Sequence, residues 1–87
     1  SLEVVAAGYP RDRVVLNQIA RILFLERRYR DALTYLDRVA RIDPEDLQMH
    51  YTAMLCHRGL GQEELAAREE QLFTRFKAEE AAQAITG

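Results

Sequence analysis

Residues 13–46 read RVVLNQIARILFLERRYRDALTYLDRVARIDPED. In this stretch Leu16, Ile19, Ala20 and Leu23 stand at i, i+3, i+4 and i+7, one face of a helix. Asp12, just after Pro10, is placed to cap its N-terminus. Glu26-Arg27-Arg28-Tyr29 interrupts the pattern, and Ala32, Leu36, Val39 and Ala40 resume it at i, i+4, i+7 and i+8. Ile42-Asp43-Pro44 closes this second helix, because the residue before a proline avoids the α region. Two helices joined by a short break predict a helical hairpin.

Working outward, the hairpin has neighbours in register. Pro10 and Pro44 are 34 residues apart, and at the same offset Leu2 matches Leu36, Val5 matches Val39, Ala6 matches Ala40 and Asp12 matches Asp46. Further on, Ala32 matches Ala66 and Arg41 matches Arg75. A period of 20–50 residues signals stacked supersecondary units, and 34 is a helix-turn-helix period. The next unit starts at Asp46 and runs through Ala53, Met54 and His57 to a break at Gly59-Leu60-Gly61, with a glycine suited to a left-handed helix end. A last helix is expected from near Glu63 to about Ala84. Strand patterning is lacking, so the fold class is all-α.

These residues carry a resemblance. Residues 13–46 resemble a tetratricopeptide repeat (TPR). Leu16, Ile19, Ala20 and Leu23 fill that family's places on the first helix, and Tyr29, Ala32, Leu36, Val39 and Pro44 those on the turn and second helix. Arg27 replaces the usual turn glycine. In the following unit His50, Ala53, Met54, His57, Gly61, Ala66 and Phe73 occupy pattern positions, while Glu70 stands where a large apolar residue is usual. The resemblance implies antiparallel helix pairs stacked as a right-handed superhelix. It divides the chain into residues 1–12, the tail of a preceding unit; 13–46, one unit; and 47–87, a unit with an extended capping helix. Three repeats are the usual minimum for such a stack, so a fragment of a longer protein is expected. Leu2, Val4 and Val5 would then leave apolar surface at the N-terminal end, where self-association could follow.

Composition narrows the function classes. The chain has 87 residues, of which 48% are hydrophobic and 30% charged, with a net charge of −2. A pI near 5.6 argues against nucleic acid as a partner. Apolar runs never approach the ~20 residues of a membrane span, and no membrane partner is expected. The single cysteine, Cys56, rules out an internal disulfide and fits cytoplasm or periplasm, the cytoplasm slightly favoured.

Four constellations could carry chemistry. His50 and His57 lie seven apart on one helix face near Cys56, but zinc asks for three or four converging ligands, and both histidines sit at packing positions. Cys56 and His57 are adjacent and so diverge on a helix, unlike a nucleophile and its base. Arg27, Arg28 and Arg30 around Tyr29 could hold phosphates, but Glu26 and Asp31 lie beside them, as on a solvated surface. Paired acids such as Glu63-Glu64 and Glu79-Glu80 read, like that arginine cluster, as a wet helix face and do not count as a further constellation. No catalytic residue, metal or cofactor is expected.

The fourth constellation is a groove. TPR arrays line a concave surface with the first helix of each repeat. Here that implies Val14, Asn17, Arg21 and Phe24 in one unit and Gln48, Tyr51, Leu55 and Arg58 in the next. Aromatic, arginine and amide side chains are the types enriched where proteins meet. The competing reading packs Phe24 and Tyr51 against a neighbouring helix. The Lys/Asn arrangement by which some TPR domains clamp terminal carboxylates is missing; only Asn17 is of the right type, and it is displaced. The expected function is a non-catalytic module offering a groove to a peptide or protein. The alternative is an assembly module that self-associates or spaces other domains of its parent.

Overall fold

The computed structural model of the chain describes residues 10–86; Leu2, Val4 and Val5, with most of the expected tail at residues 1–12 and the self-association expected there, lie outside them. It holds four helices: α1 Pro10–Leu25, α2 Tyr29–Ile42, α3 Leu47–Gly59 and α4 Glu63–Thr86. No strand occurs among the described residues, so the chain is all-α.

Each helix boundary has a local cause. α1 opens at Pro10, whose fixed φ and missing N–H suit a first helical position. Asp12 is therefore not the cap that its sequence position suggested. It lies inside the first turn, where a negative charge meets the positive end of the helix dipole. α2 stops ahead of Asp43-Pro44, and the Asp43 N–H donates to the Val39 carbonyl at 2.8 Å. α3 is capped by Asp46, whose carboxylate accepts the Met49 N–H at 2.7 Å.

α1 and α3 end in the same way. The Arg28 N–H donates to the Leu23 carbonyl at 2.8 Å and the Arg27 N–H to Phe24 at 2.9 Å. Thirty-four residues on, Gln62 donates to His57 at 2.8 Å and Gly61 to Arg58 at 3.1 Å. This bond pair is a Schellman ending, which needs a left-handed residue in its penultimate place. Gly61 supplies it with φ 76°, and Arg27 supplies it with φ 64°.

These tight turns fold consecutive helices back on each other. In α3 and α4, His50 faces Phe76, Tyr51 faces Phe73 and Arg58 faces Glu70, an antiparallel series. In the first pair Phe24 meets Tyr29 at the turn, and Arg13 meets Asp43 at the open end. The core joins the two hairpins: Leu16 and Ala20 of α1, Ala32, Leu36 and Val39 of α2, and Met49, Ala53 and Cys56 of α3. Ala20 and Ala32 let α1 and α2 approach closely, and burying Val39 contributes on the order of 1.5–3 kcal/mol. Glu70 stays at the surface and pairs with Arg58 at 3.4 Å, while Ala66, Phe73 and Phe76 carry the α4 packing.

Two contacts set how the hairpins meet. The Tyr29 ring lies so near Gly59 that a Cβ there would come within 2.6 Å of it. At the other end, Asp46 accepts from the Asn17 amide at 3.2 Å and pairs with the Arg13 guanidinium at 3.3 Å while capping α3. The resulting body is flat, 38 × 37 × 17 Å.

Candidate functional site

The eight groove residues expected from the sequence separate into two groups. Arg21 and Phe24 of α1 with Gln48, Tyr51 and Leu55 of α3 line one hollow of ≈ 200 Å³ at the seam between these helices. Leu25 and Thr52 complete it. Val14, Asn17 and Arg58 lie outside. Val14 is exposed elsewhere on α1. Asn17 is only 4% exposed, because the Asp46 carboxylate draws its amide inward. Arg58 is turned to Glu70 on α4.

Leu25 and Thr52 were missed because each follows a stripe residue, Phe24 or Tyr51, by one position. A stripe drawn along single helices omits the edges of a seam between two. The spacing of Arg21 and Phe24 in α1 against Tyr51 and Leu55 in α3 was the signal that could have included them.

The aromatic pair divides between the two readings weighed for it. Phe24 is half-buried, its ring 5.8 Å from that of Tyr29. Tyr51 keeps 47% of its surface exposed while its ring centre lies 5.6 Å from that of Phe73, the two planes tilted by 48°. Phe73 thus props an exposed ring in place, which lowers the entropy lost when a partner covers it. Arg21 is exposed and has no ion-pair or hydrogen-bond partner among the described residues. Arg13, Arg28, Arg41, Arg58 and Arg75 pair with carboxylates, whereas Arg27, Arg30 and Arg68 share with Arg21 the lack of such a partner among the described residues.

A larger hollow of ≈ 270 Å³ lies between α2, α3 and α4, with Asp37, His57 and Glu69 among its walls. Its polar groups are already engaged: Asp37 with Arg41 at 3.1 Å, His57 Nδ1 with Gln62 at 2.8 Å, and Glu69 with His50 at 2.6 Å. It offers a ligand little beyond apolar wall.

The other constellations resolve physically. Both ring nitrogens of His50 are taken, Nδ1 by Glu69 and Nε2 by the Pro44 carbonyl at 2.7 Å. Cys56 is 0% exposed, and burial pushes its thiol up to about 11. At neutral pH it is a neutral packing group and not a thiolate. Among the described residues no group of three His, Cys, Asp or Glu could hold a metal ion. Arg28 is matched by Asp31 at 2.8 Å and Glu26 at 3.9 Å, which neutralises part of the basic turn. Among the described residues no helix is long and apolar enough to cross a membrane.

Comparison with family models, with curated proteins and with solved structures gives no match to this chain.

Proposed function

We propose that the chain is a non-catalytic protein-interaction module of TPR type, in which α1 and α3 present the hollow at their seam to a peptide. Stacking of the hairpins as a right-handed superhelix is part of this reading. Its support is the recurrence, 34 residues apart, of one turn with one hydrogen-bond pattern. The observation that carries the binding role is the hollow itself. It combines an exposed, propped aromatic ring, an arginine with no carboxylate partner among the described residues and apolar walls, the mixture that anchors protein contacts.

The test is selection from a displayed library of random twelve-residue peptides. An enriched peptide should bind saturably, and an Arg21→Ala plus Tyr51→Ala chain with unchanged circular dichroism should bind it at least about tenfold more weakly. Equal affinity for both chains would refute the proposal.

One observation favours a second reading, assembly. On α3, Met49 and Cys56 are buried against the first hairpin. Their counterparts 34 residues earlier, Val15 and Ile22 of α1, are 43% and 56% exposed. This apolar row would suit a further helix or a second copy of the chain. Sedimentation that shows a concentration-dependent dimer, abolished by Ile22→Glu and untouched by Tyr51→Ala, would support assembly over the groove.

A further inference from the structure

We infer that the hollow between α1 and α3 selects a peptide carrying a side-chain carboxylate, Asp or Glu, next to one large apolar side chain. This rests on the reading of the hollow as a peptide site and adds the chemistry of its occupant.

Size comes first. At ≈ 200 Å³ the hollow is smaller than the ~300–1,000 Å³ of typical small-molecule sites. It suits one side chain of a longer partner. Its floor and walls are Phe24, Leu25, Tyr51 and Leu55, so that side chain is apolar.

Charge comes second. Among the described residues Arg21 is the sole charged one lining the hollow, in a chain whose net charge is −2. No carboxylate of the described residues pairs with it. A guanidinium beside apolar wall, with its fork uncommitted, attracts a carboxylate in a two-bond geometry. A basic peptide would meet like charge at the same rim. Gln48 and Thr52 add an amide and a hydroxyl, which can bond the partner's backbone while the apolar side chain is seated.

The experiment uses the full chain and a displayed library of twelve-residue peptides, with Glu, Lys, Leu, Phe, Ala, Ser and Asn equally represented at every position. The enriched peptide is then made with acetylated and amidated ends, so that only side-chain carboxylates remain. The expected pool favours Glu beside Leu or Phe and depletes Lys. Arg21→Gln should weaken the enriched peptide about three- to tenfold. Replacing the peptide's Glu by Gln should do the same, and the two changes together should cost little more than either alone.

If Tyr51→Ala weakens the peptide while Arg21→Gln does not, or if the pool is not acidic, the carboxylate inference is overturned and the hollow remains a peptide site. If neither change affects binding, or no peptide is enriched, the peptide-site reading fails and the inference with it. Loss of binding on amidation would assign the contact to a chain terminus and overturn the side-chain claim.

Discussion

At the scale of the residue, Cys56 shows how burial sets chemistry. Its thiol is raised from 9.0 to about 11 by desolvation of the charged form. Below pH 9 the folded and unfolded chains both hold the proton. Between pH 9 and 11 the unfolded chain releases it first, so stability falls as pH rises through this window. The loss should reach about 2 kcal/mol between pH 8 and pH 10.5. Urea denaturation of the natural chain and of Cys56→Ala checks this, since the variant lacks that share of the pH dependence. Parallel curves for the two chains would contradict it. Asn17 marks the limit of reading residues from spacing. Its place on the stripe was legible, but the Asp46 carboxylate that turns it inward is 29 positions away in sequence. Arg58 was lost from the groove for a similar reason, because Glu70 on the following helix claims it.

At the scale of the element, the stops were legible where chemistry is local. Pro44 and Gly61 end their helices as backbone sterics require. The start of α1 was less legible, because Pro10 could be a breaker or a first residue, and the helix took the second option. The turn at Arg27 shows what a missing glycine costs. A residue with a Cβ in the left-handed region loses roughly 1–2 kcal/mol. Arg27→Gly should therefore stabilise the chain by about 1 kcal/mol, and Gly61→Ala, with nothing within 4 Å of the new Cβ, should destabilise it by about the same. Denaturant midpoints measure both. A lowered midpoint for Arg27→Gly would mean that the arginine side chain does more at this turn than its backbone suffers.

At the scale of the whole molecule, the core lies between the hairpins as much as within them. Val39 of α2 and Met49, Ala53 and Cys56 of α3 belong to one cluster. Neither hairpin buries its apolar face alone. Peptides spanning 1–45 and 46–87, prepared separately, should together give less than about half the far-ultraviolet ellipticity of the intact chain, because short helices are marginal in water. Spectra that simply add to that of the intact chain would overturn this. Here the helical spacing of Leu16, Ile19, Ala20 and Leu23 made the all-helical class readable from sequence, whereas the exposed row of Val15 and Ile22 became visible only beside its buried counterparts.

Asp46 gives this dependence a mechanical form. One carboxylate starts α3 and also tethers two side chains of α1. Unwinding the beginning of α3 therefore slackens the neighbouring hairpin, and pulling that hairpin away uncaps α3. The two halves are geared together, so heating is expected to melt the chain in a single stage and not hairpin by hairpin.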